Sequence, residues 1–414
     1  MTSSFIVMLK QIGFDNYKCL SGKTFQLEKV NVFTGYNGRG KSSVMQAILM
    51  LSQSVRKDDL NSFAHLHVNG EMVRLGDFDE LLSDTDKLSL DISMIISSTE
   101  SHEVLLGYDM DDDYKVGILK RCKIDNEDYF DTATSKPSDS SEKSQGDIGD
   151  LRQLPVYLYN QFWSQNLHYV SANRQGPVKF VERDEIPDFF RVGADGSRTI
   201  NTLSAYHEKI DKRMNVDSSD ENEYDLLSSV SMWVENIMNG GNVSISGNSV
   251  QSRDDQGNVK KSTILSLAFG VKGDGGVYPS YNVGFGYSYI LSIVVTALIA
   301  KEGDVVIIEN PEAHLHPEAQ TRLTYMLAKM GARGVQVFVE THSEHVINGF
   351  RLAALKKEYE LKNEDVRIFF FDKDFQKIDL EIEKSGRIPN WPERFFDQYQ
   401  RELAEIIRLG SDIQ

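Results

Sequence analysis

Cysteine, long apolar runs and positive charge are all scarce in this sequence, and each shortage excludes a class of protein. The 414 residues include two cysteines, Cys19 and Cys122, which give neither a disulfide framework nor the ligand spacing of a cysteine metal site. The apolar stretch near residues 290–300 is too short to cross a bilayer and ends at Lys301. The net charge of −17 does not support a broad nucleic-acid-binding face, because phosphate contacts need clustered Lys and Arg.

The rest of the composition is that of a globular protein. Hydrophobic residues make up 40% of the chain, which is enough to bury a large core in one main domain with embedded lobes. The first residues lead into an apolar segment, Phe5 to Leu9, without a signal pattern. We therefore expect a cytoplasmic protein with no membrane partner. Local basic clusters such as residues 120–123 leave a nucleic-acid partner open, although the net charge gives it no support.

A glycine-rich loop follows the apolar, β-prone segment 30–34. Residues 35–42 read G-Y-N-G-R-G-K-S, a complete G-x-x-x-x-G-K-S motif, and residues 43–55 carry apolar side chains at helical spacing. Strand, loop and helix together form the context in which this motif binds nucleotide phosphates. Lys41 is expected to reach the β- and γ-phosphates, and the Ser42 hydroxyl to bind Mg²⁺. The predicted ATP-binding residues of this segment are Gly35, Asn37, Gly38, Gly40, Lys41, Ser42 and Ser43.

Two apolar segments far downstream resemble buried strands. Residues 304–309 end in Glu309, and residues 335–341 end just before His342. Uninterrupted Val and Ile runs are typical of strands buried on both faces of a parallel sheet. An acid at the carboxyl end of such a strand is where a P-loop enzyme holds Mg²⁺, so Glu309 is the second predicted metal ligand. His342, one strand further along, is a candidate γ-phosphate sensor.

The order of these segments resembles that of ABC-type ATPases, in the branch shared by SMC-like and OLD-like proteins. The motifs that carry the resemblance are GYNGRGKSS at 35–43, IIENPEAHLHP at 307–317 and VFVETHSEHV at 337–346. The resemblance is closest to bacterial AAA ATPases of unknown function, in which a late W-P-x-x-F-F-D-Q also recurs, here at 391–398. It implies an α/β fold, namely an ABC-type ATPase head with a P-loop sheet, an antiparallel β lobe and a helical lobe.

The resemblance also assigns roles to the acidic segment. It implies that Glu309 is the Mg²⁺-binding acid of the Walker B motif and that His342 is the switch histidine. Most ABC ATPases place a catalytic glutamate directly after that acid, whereas this sequence has Asn310. Asparagine can orient a water molecule but cannot accept its proton, and Glu312 is the nearest carboxylate that could substitute. We therefore expect an ATPase that hydrolyses slowly, with nucleotide acting more as a clamp than as a fuel.

In this family a signature segment from a second subunit completes the site. It precedes the Walker B strand, and here residues 281–289 read Y-N-V-G-F-G-Y-S-Y. Two glycines and a serine at a helix start offer N–H groups and a hydroxyl to a phosphate. We expect Gly284, Gly286 and Ser288 of one subunit to contact the γ-phosphate held by Lys41 of the other. The partner is then a second copy, in a head-to-tail homodimer that encloses two ATP molecules.

The segment 171–177 follows the last strand predicted for the β lobe, where the family has its Q-loop. Arg174 or Gln175 is therefore a candidate reporter of nucleotide state to the helical lobe. The alternative is a loop arginine that pairs with a surface acid.

We expect a single ABC-type domain over residues 1–414. Residues 61–170 have the alternating pattern of an antiparallel β lobe, and their polar segment 136–150 predicts a mobile loop. Residues 178–280 predict a helical and mixed lobe. Residues 281–414 contain the signature, the Walker B strand, the switch histidine and a C-terminal element.

Three functions are compatible with these motifs. The first is the sensor or regulatory ATPase of a bacterial anti-phage defence system, which controls a separately encoded effector such as a nuclease of Toprim type. The second is an SMC-like clamp for DNA repair or DNA ends, and the third is a transporter ATPase subunit. The lack of a long heptad run counts against the second, and the E-N-P-E and G-F-G-Y-S variants are unlike transporter motifs. The first fits best, by family analogy.

Overall fold

The computed structural model describes residues 8–55, 65–84, 89–97, 101–111, 116–131, 166–185, 191–253, 259–271, 275–392 and 396–411. The predicted loop at 136–150 lies outside these ranges, as do residues 393–395 of the W-P-x-x-F-F-D-Q segment. Within the described ranges the chain forms three sheets and seven α-helices.

The main sheet carries the motifs. Its six strands are β3 (Val30–Gly35), β9 (Leu167–Val170), β14 (Val305–Glu309), β15 (Gln336–Glu340), β16 (Val366–Phe371) and β17 (Lys377–Glu381), in the spatial order β17-β16-β3-β15-β14-β9. All neighbours are parallel except β16 and β17. Parallel strands end on one edge of the sheet, which we call the carboxyl edge, and ligands of such sheets bind there. The glycine loop, Glu309 and the segment that leads to His342 therefore meet at that edge.

The apolar strands are buried on both faces, as their sequences predict. Val306 and Ile308 of β14 point into one core, which lies against the helices of the mixed lobe. Val305 and Ile307 alternate with them and point into a second core, against the β lobe. Since successive side chains of a strand point to opposite faces, only an unbroken apolar run can serve both cores.

The β lobe is a separate antiparallel sheet. Its strands are β1 (Met8–Asp15), β2 (Lys23–Gln26), β4 (His65–Leu66), β5 (Ser89–Ser97), β6 (Ser101–Asp111), β7 (Val116–Ile124) and β8 (Glu127–Asp131). Two of them precede the glycine loop, so the lobe begins earlier than the predicted residue 61. The predicted boundary at residue 170 also differs, because β9 pairs in parallel with β14 of the main sheet. Both ends of β9 are buried apolar residues, Leu167 and Val170, which suits a strand covered on both faces.

The mixed lobe combines helices with a small sheet. That sheet contains β10 (Val181–Glu182), β11 (Val243–Arg253), β12 (Val259–Gly270) and β13 (Val277–Pro279). The helices of the protein are α1 (Lys41–Ser54), α2 (Thr199–Ala205), α3 (Leu226–Met238), α4 (Phe285–Ile299), α5 (Pro317–Ala332), α6 (Glu344–Leu355) and α7 (Gln398–Ser411). The apolar stretch near residue 290 lies in α4, where every residue from Ile290 to Ile299 is buried. Among the described helices, none is both long enough and apolar enough to cross a membrane.

Candidate nucleotide-binding site

The glycine loop connects β3 to α1 and is held against β16. Its first residue, Gly35, has a φ of 121°, and a Cβ there would lie 2.2 Å from the carbonyl oxygen of Phe371. Gly40 has a φ of 106°, and its Cβ would lie 2.7 Å from the Cys19 sulfur. Only glycine fits both positions without displacing a neighbour. The loop therefore has a fixed path that ends at the N-terminus of α1, where helix N–H groups are unpaired.

Lys41 is the first residue of α1 and folds back over the loop. Its ammonium donates hydrogen bonds to the carbonyl oxygens of Tyr36, at 2.7 Å, and Gly35, at 3.2 Å. The residue is only 3% exposed. Burial lowers the pKa of Lys41, and the nearby carboxylate of Glu340 opposes that shift. The remaining predicted loop residues are more accessible, with Asn37 and Gly38 exposed.

Glu309 ends β14, and both of its carboxylate oxygens have partners. The Tyr169 hydroxyl donates to Oε1 at 3.1 Å, and the backbone N–H of Ala172 donates to Oε2 at 3.0 Å. Both donors belong to β9 or to the segment after it, so the edge strand orients this side chain.

Arg174 lies under the same strand end and is 3% exposed. Its guanidinium donates to the main-chain oxygens of Glu309, at 2.8 Å, and Asn310, at 2.7 Å. Burial lowers the pKa of Arg174 to about 10. Arg174 is therefore a buried anchor of the Walker B turn and not the partner of a surface acid, while its role as a reporter of nucleotide state stays a prediction. Gln175, its neighbour, is exposed.

Asn310 follows Glu309 in a left-handed conformation, with a φ of 45°. Its N–H donates to the main-chain oxygen of Glu340 at 2.8 Å, which ties the Walker B turn to the end of β15. Its side-chain oxygen, Oδ1, is buried and has no hydrogen-bond partner among the described residues. Asparagine tolerates this backbone conformation better than most residues because its short polar side chain bonds locally.

Glu312 holds the segment that carries the switch histidine. Its Oε2 accepts a hydrogen bond from the Thr341 hydroxyl at 2.8 Å, and its Oε1 accepts one from the His342 N–H at 2.7 Å. Burial lowers the pKa of His342, and the Lys41 ammonium lowers it further, which places the imidazole near the glycine loop. Glu312 and His342 are thus brought together, but both carboxylate oxygens of Glu312 are already engaged.

Glu340 is the site residue that the sequence analysis missed. It lies beside Glu309 in the register of the parallel strands β14 and β15 and is 7% exposed. The Ser42 side chain and the Lys41 ammonium lie near its carboxylate and favour the charged form. Burial raises the pKa of Glu340, with smaller contributions from the charges of Glu309 and Glu312. The signal was a charged residue directly before the Thr-His pair of an otherwise apolar strand.

The signature positions face different surroundings. Gly284 precedes α4, is exposed, and has no atom within 4 Å of an added Cβ. A Cβ on Gly286 would lie 2.8 Å from the His314 carbonyl oxygen, so this glycine is needed for packing inside the subunit. The Ser288 hydroxyl oxygen is buried. Of the three residues predicted to contact a partner's phosphate, Gly284 is exposed, beside Phe285, which is 55% exposed, whereas Gly286 is buried and Ser288 is half-buried.

A glycine loop between a parallel strand and a helix, with an acidic strand two positions away in the same sheet, defines the P-loop ATPase class. The family follows from the sequence match over residues 30–348, which covers most of the chain. The chain belongs to the family described as "AAA domain, putative AbiEii toxin, Type IV TA system". Residues 361–406 match a second family, described as "Protein of unknown function (DUF3696)". A search of the curated proteins finds no match.

Solved structures of similar shape include heads of SMC proteins. The SMC head domain from Thermotoga maritima has 12% identity and a TM-score of 0.43, covering 91% of this chain and 99% of that chain. The Smc head domain with an extended coiled coil, bound to the C-terminal domain of ScpA from Pyrococcus furiosus, has 10% identity and a TM-score of 0.47, covering 97% and 100%. The recombination mediator protein RecF-ATPrS has 13% identity and a TM-score of 0.43, covering 92% and 100%. At these identities and scores, nothing about function follows from the likeness.

The bonds from Glu312 predict that this side chain stabilises the switch segment. In Glu312→Ala the His342 N–H loses a charged acceptor, a bond worth about 1.5–3 kcal/mol. We expect the amide of His342 to exchange its hydrogen roughly tenfold faster or more, measured by mass spectrometry of a peptide over residues 339–346. Glu318→Ala, at an exposed position of α5, is the control. Equal protection in both variants would show that these bonds do not hold the segment.

Proposed function

We propose that this protein binds ATP with Mg²⁺ at the glycine loop and hydrolyses it slowly. The observation that carries the proposal is the convergence of Lys41, Ser42 and the carboxylates of Glu309 and Glu340 at one end of the main sheet. The Lys41 ammonium would exchange its two loop carbonyls for β- and γ-phosphate oxygens, which carry more negative charge. The N–H groups at the start of α1 would face the same phosphates.

The residues at this edge fit a magnesium ion, which prefers oxygen ligands. Ser42 and Glu309 are the proposed ligands from the sequence, and both present oxygen atoms. Two buried oxygens nearby, Asn310 Oδ1 and Glu340 Oε2, have no hydrogen-bond partner among the described residues, as expected where a cation or water is to bind. When bound, the ion would neutralise charge on the phosphates.

We propose that Asn310 positions the attacking water and that Glu312 does not act as its base. Asn310 has an uncommitted side-chain oxygen, whereas both oxygens of Glu312 hold the switch segment. An amide cannot accept the water's proton, so hydrolysis is slow. His342 is held beside the loop to sense the γ-phosphate.

The exposed start of α4 supports a site shared by two subunits. Gly284 offers an uncrowded helix N-terminus, and the neighbouring Tyr281 and Phe285 side chains are 47% and 55% exposed. We propose that ATP closes a head-to-tail dimer in which this end of α4 faces the phosphates bound to the partner. Gly286 and Ser288 would act by packing the helix rather than by touching the nucleotide.

The biological role proposed is that of a regulatory subunit in bacterial anti-phage defence, which controls a separately encoded effector. It is supported by the resemblance to OLD-like proteins. A nuclease gene beside this one, whose product co-purifies with the chain, would support the role. ATP-dependent DNA binding that weakens steeply with salt would favour the SMC-like clamp instead.

Lys41→Ala should abolish tight ATP binding and any biological activity while leaving the fold intact. The change removes the ammonium that donates to the loop carbonyls of Gly35 and Tyr36. Calorimetric titration with ATP and Mg²⁺ measures the effect, which we expect to exceed about a hundredfold in Kd, or about 2.7 kcal/mol. Lys357→Ala, at an exposed lysine remote in sequence, is the control. Unchanged affinity in Lys41→Ala would refute the assignment of the loop.

Asn310→Ala and Asn310→Asp should change turnover in opposite directions. Alanine removes the group that orients water, whereas aspartate keeps the size of the side chain, tolerates the left-handed backbone and adds a proton acceptor. A positioned general base contributes about 10²–10⁴-fold, so we expect aspartate to raise the turnover number at least about tenfold. Phosphate release under saturating ATP measures it. If both variants hydrolyse ATP like the wild type, Asn310 does not handle the water.

Gly284→Arg should prevent the ATP-dependent dimer without unfolding the subunit. The position is open and has an ordinary φ of −61°, so the monomer can accommodate arginine there. In the proposed dimer the same side chain would clash with the partner subunit. Light scattering with a non-hydrolysable ATP analogue should show the wild type moving from 46.9 kDa towards twice that mass, and the variant staying monomeric. Gly410→Arg, at another glycine that has no atom within 4 Å of an added Cβ and no positive φ, is the control. A wild type that stays monomeric at saturating analogue would overturn the shared site.

A further inference from the structure

Glu340 has the contacts expected of a metal ligand rather than of a structural acid. We propose that Glu340, together with Ser42, holds the divalent cation of this site, and that Glu309 contributes less to its affinity. The inference rests on the proposed function, since it concerns the ion that accompanies the nucleotide. It assigns the main carboxylate ligand to the end of β15, which lies beside β3, rather than to the end of β14.

The first step of the argument is that Glu309 is committed to other partners. One of its oxygens accepts from the Tyr169 hydroxyl at 3.1 Å and the other from the Ala172 N–H at 3.0 Å. Each hydrogen bond to a charged group is worth about 1.5–3 kcal/mol. Direct binding of a cation by Glu309 would have to use the remaining lone pairs of oxygens that these two donors hold in place.

The second step is that a carboxylate oxygen of Glu340 is available to bind a cation. Its Oε2 is buried without a hydrogen-bond partner among the described residues, and its carboxylate lies near the Ser42 side chain. A carboxylate that is 93% buried is costly unless its charge is paired. An Mg²⁺ ion held jointly by Ser42 and Glu340 would satisfy that oxygen with the ligand chemistry that the ion prefers.

The third step is the position of the residue in the sheet. β15 lies between β3 and β14, so its last residue is nearer to the glycine-loop strand than Glu309 is. Neighbouring strands are about 4.8 Å apart, so the in-register residues Glu309 and Glu340 place two like charges at the same end of the sheet, where they repel. A cation beside Glu340 relieves this repulsion without moving Glu309 from its two donors.

The competing explanation is a structural role, in which Glu340 serves only as a hydrogen-bond acceptor for the Ser42 side chain. Glu340→Gln separates the two roles, because glutamine has the same size and keeps a side-chain oxygen that can accept from Ser42. A structural role predicts little change in this variant. A metal role predicts the loss of an anionic ligand.

The test measures metal affinity directly, on the full-length protein. Mn²⁺ is titrated into protein saturated with a non-hydrolysable ATP analogue, and bound Mn²⁺ is followed by electron paramagnetic resonance. We expect Glu340→Gln to raise the Kd for Mn²⁺ at least about tenfold, and Glu309→Gln to raise it less. Affinity for the analogue in EDTA should stay at the wild-type value, which shows that the glycine loop is intact. Glu318→Gln is the control, and thermal unfolding reports whether each variant is folded.

Two results would contradict this inference. Wild-type Mn²⁺ affinity in Glu340→Gln, or a larger loss in Glu309→Gln than in Glu340→Gln, would return the main carboxylate ligand to the acidic strand and leave the proposed function standing. A wild-type protein that binds no analogue, with or without metal, would instead remove the proposed function and this inference together.

Discussion

The clustering of three carboxylates, one buried and two half-buried, at one end of a parallel sheet is the constraint on which this site depends. Glu309 and Glu340 end neighbouring strands in register, and Glu312 follows close behind. Buried carboxylates are stable only when cations or hydrogen-bond donors face them. The fold supplies the Lys41 ammonium from α1 and the Arg174 guanidinium from the segment after β9, together with donors from β9 and the switch segment. Most contacts described above pair these charges. The carboxylate of Glu340, beside the glycine-loop strand, still has one buried oxygen without a hydrogen-bond partner among the described residues.

Arg174 connects this charged edge to the surface at the start of α4. Its guanidinium lies 5.1 Å from the centre of the Tyr289 ring, and that ring packs edge-on against His314 at 4.7 Å. Phe285, on the exposed end of the helix, contacts both rings. The same arginine holds the main-chain oxygens of the Walker B turn, so the surface at the start of α4 and the acidic turn have a common anchor. Contiguity alone does not make an allosteric route, because coupling also requires two discrete arrangements that each site favours differently.

Features that depend on local chemistry were predictable from the sequence, and features that depend on register were not. The strands Val305–Glu309 and Gln336–Glu340 lie where the apolar segments 304–309 and 335–341 predict them, since an unbroken apolar run is a local signal. The pairing of β9 depends instead on a partner far along the chain, and the role of Glu340 on which residue the neighbouring strand places beside it. The burial of the Ser288 hydroxyl was equally unpredictable. Because α4 is apolar on nearly every side, its sequence does not show which face of the helix points inward.

The backbone of the Walker B turn gives a physical reason for the residue found there. At a φ of 45°, most residues pay about 1–2 kcal/mol for the clash of Cβ with the following carbonyl, and asparagine and aspartate pay least. The conformation lets the Asn310 N–H reach the Glu340 carbonyl and bind the two strand ends together. A glutamate in this turn would carry both the strain and a further negative charge beside Glu309 and Glu340. Asparagine adds no charge and carries less of the strain than most residues, which is why it suits this turn better than glutamate.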